Sequence, residues 1–175
     1  KLPEYIDPEK PLKIGSFNVL TNSEDSSYGT FKWSLRKDYL VQAFIDLDYD
    51  ICALAEYSAT ISKYIPAQIA AKTPRKYRWW KLSDNNPNVN SLGIVYDVNR
   101  FTMSNEKYFW LSETPDEPSH GWGETAYWRT AMMGTLTDKA TGKKFIFVAT
   151  HLALNDEARD NSAAVILSKI KADNT

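Results

Sequence analysis

Four side chains have the type and setting that chemistry uses: Asn18, Glu56, Arg129 and His151. Glu56 directly follows the apolar run Ile51-Cys52-Ala53-Leu54-Ala55, so its carboxylate lies where a buried strand reaches the surface. Carboxylate oxygens suit a hard cation such as Mg²⁺, which keeps several waters and needs only one or two protein carboxylates. Asn18 sits in Phe17-Asn18-Val19, toward the end of another apolar run. The Arg129 guanidinium can pair bidentately with phosphate oxygens. His151 is one of 2 histidines; the other, His120, lies in a Pro/Ser/Gly loop. Taken singly, each has a plainer reading. Glu56 is then a solvated strand-end carboxylate and Asn18 satisfies backbone groups at a strand end. Arg129 is an ordinary salt-bridge partner, and His151 a structural histidine on a strand.

The elements that must position these groups are legible as periodicity. Ile14 to Leu20 and Ile51 to Glu56 read as short buried strands. Between them Trp33, Leu40, Val41, Phe44 and Ile45 recur at roughly helical spacing. Ala59 to Lys72 predicts a second helix, which Pro66 must start, kink or interrupt. Tyr77 to Leu82, Leu92 to Tyr96, Phe101 to Leu111, Thr130 to Thr137 and Phe145 to Leu152 predict further strands, the last two joined by a tight turn at Thr141-Gly142. Asp156 to Lys171 predicts a closing helix with Ala163, Ile166 and Ile170 on one face. Thr21 to Thr30 and Ser83 to Asn90 read as loops. Residues 1–12 form an irregular arm and residues 13–175 one domain. Strand, helix, strand at the start and a β-rich middle argue for an α/β fold with a mixed sheet.

A chain of 175 residues can bury a real core. Its 43% hydrophobic and 25% charged residues exclude a disordered composition. A net charge of −1 and a pI near 6.2 give no support to broad phosphate-backbone binding. The single cysteine, Cys52, reads as a buried small hydrophobe and leaves the compartment open. No apolar stretch approaches the ~20 residues a membrane-crossing helix needs. The start, Lys1-Leu2-Pro3-Glu4-Tyr5, has no signal-peptide apolar core.

The motifs gain meaning from their order. Tyr108-Phe109-Trp110-Leu111-Ser112-Glu113-Thr114-Pro115 is followed by Gly121-Trp122 and Arg129. Upstream lie Phe17-Asn18-Val19, Trp33 with Arg36, Leu54-Ala55-Glu56 and Ser91-Leu92-Gly93-Ile94-Val95-Tyr96, and downstream lies Thr150-His151. In that order they resemble the endonuclease/exonuclease/phosphatase superfamily, metal-dependent phosphodiesterases that include pancreatic-type deoxyribonuclease and the inositol phosphatases. The Phe-Trp-Leu-Ser-Glu-Thr-Pro variant resembles a branch found in many secreted bacterial members. The resemblance runs from Lys13 to the C-terminus.

The resemblance implies an α/β (α+β) fold: a four-layer sandwich of two mixed β-sheets flanked by helices, incomplete at the C-terminus, with the active site at one end. It implies Glu56 as the ligand for Mg²⁺ or Mn²⁺, with Asn18 beside it. His151 becomes a hydrogen-bond donor at the scissile phosphate, Arg129 a phosphate contact, and Trp33 with Arg36 a packing brace. The implied substrate is a phosphate ester such as nucleic acid or phosphoinositide, and the implied location is secreted or periplasmic. The sequence departs from the pattern in three places. Ala55 stands where relatives most often have glutamine, and Asn90-Ser91 where many have Gly-Glu. The chain ends at Lys171-Ala172-Asp173-Asn174-Thr175, where a Gly-Asp-x-Asn strand is expected, and no later Ser-Asp-His follows. The expectation is therefore a chain with the first part of a catalytic site, inactive or very weak by itself. Its 145–152 edge would recruit a second copy or a retained C-terminal fragment. The competing reading is a non-catalytic binding module whose surface aromatics, Trp122 and Trp128, hold carbohydrate or nucleic acid.

Overall fold

The computed structural model describes residues 10–24, 26–82 and 89–173. Most of the N-terminal arm and of the Ser83 to Asn90 loop lies outside the described residues.

Period-2 alternation builds two sheets. In the first, β1 (Ile14–Asn18) runs parallel to β2 (Ile51–Ala55); β4 (Leu92–Asp97) pairs antiparallel with β2 and with β3 (Tyr77–Lys81), giving the order β1-β2-β4-β3. The second holds β5 (Phe101–Trp110), β6 (Thr130–Asp138) and β7 (Lys144–Thr150), antiparallel across the described residues. Successive side chains of a strand face opposite ways. Cys52 and Leu54 of β2 therefore meet the helices, while Ala53 and Ala55 meet the second sheet. Likewise Met132 and Leu136 of β6 face the first sheet, and Ala131 and Met133 the outer helix.

Among the described residues, three α-helices close the sandwich. α1 (Trp33–Leu47) and α2 (Ala59–Lys72) cover the first sheet through Trp33, Leu40, Val41, Phe44, Ile61, Ile65 and Ile69. α2 runs on through Pro66, whose ring removes one helical donor without ending the helix. The inward stripe Ile61, Ile65, Ile69 holds the helix in place on both sides of it. α3 (Asp156–Asp173) covers the second sheet with Val165, Ile166 and Ile170. Ala163 is exposed, a correction to the expected face: Ala158 and Ser162 are the buried positions. A short 3₁₀ segment, Ser26–Phe31, interrupts the loop expected from Thr21 to Thr30. No helix of the described residues is long and apolar enough to cross a membrane.

The two poles of the sandwich differ in chemistry. At one, Arg75 reaches Asp48, Asp50 and Asp97, while Arg100 reaches Asp50 and Asp138. This network staples the start of β2, the end of β4, the start of β5 and the end of β6. A cavity of about 440 Å³ opens there, but the side chains of Arg75 and Asp50 along it are already engaged. The other pole collects the C-termini of β1, β2 and β7 and the N-termini of β4 and β6. It brings the four sequence candidates to one end.

Candidate functional site

The site is built on two strand ends that leave the sheet in the same way. β1 ends at Asn18, whose Oδ1 accepts the Leu20 N–H at 2.9 Å, an asparagine turn that bends the chain over. Leu20 follows with φ 53. β2 ends at Ala55, and Glu56 has φ 59, left-handed for a residue with a β-carbon. Such a conformation costs about 1–3 kcal/mol and is retained where the surroundings over-determine it. Here they do. The Glu56 carboxylate takes Asn18 Nδ2 on Oε1 at 2.9 Å and the Thr21 N–H on Oε2 at 2.8 Å. The next residue, Tyr57, donates its N–H to the Ser91 carbonyl at 2.8 Å, and Ser58 caps α2.

The chain that supplies the Thr21 N–H is held by one arginine. Arg36 donates to the carbonyls of Val19 at 2.8 Å, Leu20 at 2.6 Å and Thr21 at 2.7 Å, and to Phe31 at 2.8 Å. Its guanidinium lies 5.2 Å from the centre of the buried Trp33 ring. The Trp33 and Arg36 pair is thus a brace, as the sequence implied.

On the second sheet His151 directly follows β7. Its carbonyl accepts Arg129 Nη1 at 3.3 Å and Asn90 Nδ2 at 3.4 Å. Burial and the Arg129 cation push the imidazole pKa below its ordinary value, against the pull of the Glu56 carboxylate. The ring is therefore neutral at pH 7, and Glu56 and Arg129 lie close enough to act on it electrostatically. Arg129 is buried, pairs through Nε with Glu124 Oε2 at 3.4 Å and lies 4.8 Å from the centre of the Tyr127 ring. It is a salt-bridge partner, the plainer of its two sequence readings, and it lies beside His151.

Twenty-six per cent of residues are identical between this chain and an endonuclease/exonuclease/phosphatase family protein of Bacteroides thetaiotaomicron, at a TM-score of 0.77, over 92% of this chain and 58% of that one. The chain belongs to the endonuclease/exonuclease/phosphatase superfamily. The mannosyl-6-phosphatase Bt3783 of the same species is 25% identical at a TM-score of 0.75, covering 93% of this chain and 60% of that one. Among curated proteins, the uncharacterized protein L388 of Acanthamoeba polyphaga mimivirus is 24% identical over 152 residues, 84% of this chain and 56% of that protein. The chain thus spans under two thirds of these relatives' length. No family model matches it.

The superfamily's metal can be tested against this donor set. Among the described residues no three His, Cys, Asp or Glu side chains cluster as a metal cage. A hard octahedral cation such as Mg²⁺ or Mn²⁺ can be held by one or two carboxylates with water filling its other positions. Each Glu56 oxygen spends one lone pair on an N–H donor and keeps another. These residues fit such an ion: Glu56 would hold it, and Asn18 fixes the Glu56 carboxylate through the bond to Oε1.

Several functional neighbours escaped the sequence reading. Asn90, read only as part of a departure from a Gly-Glu pair, bridges the sheets: its N–H donates to Thr130 Oγ1 at 3.4 Å and its amide to the His151 carbonyl at 3.4 Å. Glu124 caps the N–H groups of Ala126 at 3.0 Å and Tyr127 at 3.3 Å while pairing with Arg129. An acidic residue two and three places before those N–H groups is a local turn signal that could have flagged it. Trp122 and Trp128, expected as surface aromatics, are both only half-exposed, and the Trp128 ring packs 4.0 Å from that of His120. Tyr127 is the exposed aromatic of this loop. Cys52 is buried and its thiol pKa is pushed up to about 12, so it is no nucleophile.

Proposed function

We propose that this chain is part of a metal-dependent hydrolase of phosphate esters, acting on a phosphomonoester or phosphodiester. One observation carries the reading: a carboxylate held at a left-handed strand end by two N–H donors, sharing its pole with His151, whose pKa is pushed down by burial and Arg129. The phosphatase described among the structural relatives supports it. In this reading Glu56 holds Mg²⁺ or Mn²⁺, with Asn18 fixing the carboxylate. Bound there, the ion supplies Lewis-acid withdrawal of charge from phosphate. His151, neutral, donates a hydrogen bond to a non-bridging phosphate oxygen. Arg129 adds a fixed positive charge beside it and, through its bond to the His151 carbonyl, sets where that imidazole stands.

The test measures, on the hydrolase of which this chain is part, hydrolysis of bis(p-nitrophenyl) phosphate and of mannose 6-phosphate with added Mg²⁺. Loss of one acid–base or donor group removes roughly 10²–10⁴ of rate, and His151→Ala is expected in that range. Glu56→Gln is expected to abolish both turnover and calorimetric Mn²⁺ binding. Rates and Mn²⁺ binding that neither substitution changes overturn the assignment.

A further inference from the structure

The loop between β5 and β6 is shaped more tightly than a connection requires. A β-carbon on Gly121 would lie 2.5 Å from the Leu111 carbonyl oxygen, so only glycine lets the loop pack back on the strand end. Trp122 and Gly123 then take left-handed conformations, φ 49 and φ 80, and the Glu124 N–H closes the turn on the Gly121 carbonyl at 3.0 Å. Glu124 in turn caps the N–H groups of Ala126 and Tyr127 and pairs with Arg129. The outcome of this chain of constraints is the placement of one side chain. Tyr127 is 59% exposed, yet its ring is backed by the Arg129 guanidinium 4.8 Å from its centre. Arg129 itself bonds the His151 carbonyl. An exposed aromatic ring is thus held at a fixed position next to the group that would meet the phosphate.

We propose that Tyr127 determines specificity at this site by stacking on a sugar or nucleobase ring carried by the phosphate ester. The proposal rests on the phosphoester reading above. A tyrosine offers a rigid π-face at little conformational cost, and base–aromatic stacking tolerates any flat ring. The same face suits the C–H side of a sugar. Tyr127 presents more ring than Trp122 or Trp128, which are both less exposed, and Trp128 packs against His120.

The test is saturation-transfer NMR on the chain with mannose 6-phosphate, adenosine 5′-monophosphate and, as a ringless control, glycerol 3-phosphate. Wild type is expected to transfer to ring protons of the sugar ester, the nucleotide or both, and the pattern says which ring is preferred. Tyr127→Ala is expected to weaken ring-ester binding about tenfold relative to glycerol 3-phosphate, and Tyr127→Phe to restore it. The backbone caps from Glu124 do not involve the tyrosine ring, so the turn survives the alanine variant. Equal weakening for ringed and ringless esters, or no weakening, overturns the proposal, as does a wild type that binds neither ring ester. Failure of the phosphoester reading shows elsewhere, as hydrolysis indifferent to Glu56→Gln and His151→Ala, with ring binding still lost in Tyr127→Ala.

Discussion

Replacing Arg36 by alanine tests whether the strand exit that grips Glu56 is held from α1. Three of its hydrogen bonds, to the carbonyls of Val19, Leu20 and Thr21, are partly buried, and the one to Phe31 is exposed. A charge-assisted hydrogen bond is worth about 1.5–3 kcal/mol net, but water reaches this half-exposed side chain, so about 1 kcal/mol for each partly buried bond is the sounder figure. The sum is about 3 kcal/mol. For a chain of this length each kcal/mol shifts Tm by roughly 2–4 °C, which predicts a fall of roughly 6–12 °C. Arg36→Lys should recover less than half of that, since one ammonium cannot span three successive carbonyls as a guanidinium fork does. The assay is differential scanning calorimetry, paired with hydrolysis and Mn²⁺ titration on the folded variant. Because the clamp also presents the Thr21 N–H to Glu56, Mn²⁺ binding should weaken along with stability. An Arg36→Ala melting point within about 2 °C of wild type refutes the clamp. A large fall in Tm with unchanged Mn²⁺ affinity refutes its link to Glu56.

Asp50, buried between Arg75 and Arg100, accepts Arg100 Nη1 at 3.0 Å and the Lys13 N–H at 2.9 Å. Asp50→Ala takes from each arginine its shared buried carboxylate, leaving Arg75 with Asp48 and Asp97 and Arg100 with Asp138, and should cost about 1.5–3 kcal/mol, read as a lowered urea midpoint; an unchanged midpoint removes Asp50 from the stability of the fold. Burial pushes the carboxyls of Asp48, Glu124 and Asp138 up, but Arg75, the Ala126 and Tyr127 N–H groups with Arg129, and the Ala140 and Thr141 N–H groups with Arg100 respectively outweigh it and hold them below the usual range. Their contribution is present above the unfolded carboxylate pKa of about 4 and is lost as pH falls through the lower folded values, so the urea midpoint should drop in that window; a flat profile refutes it. Among the described residues β7 pairs on one side only, with β6, so its outer edge should take up a strand from a second copy. Light scattering is expected to give twice the 20.0 kDa chain mass, and a monomer at all concentrations refutes it.

Element types and most boundaries were legible in the sequence because burial writes itself as period. Cys52 and Leu54 alternate with Ala53 and Ala55, and Ile61, Ile65 and Ile69 recur at helical spacing. Glu56 and His151 were legible as candidates for a related reason: a polar group ending an apolar strand must emerge at the sheet's rim. The motif order then tied them to one family. Tertiary structure alone decided what grips them. Arg36 binds backbone carbonyls, and Glu56 a backbone N–H, groups every residue carries and no side-chain pattern announces. The left-handed turn at Glu56 is likewise set by its partners, since its own residue type disfavours it. Sequence could also not rank Trp122, Tyr127 and Trp128, three aromatics in one short loop. Exposure there depends on how Gly121 packs against Leu111 and on which ring His120 and Arg129 meet. Periodicity reports which side of an element is buried, whereas the contacts of a loop are fixed only when distant strand ends arrive beside it.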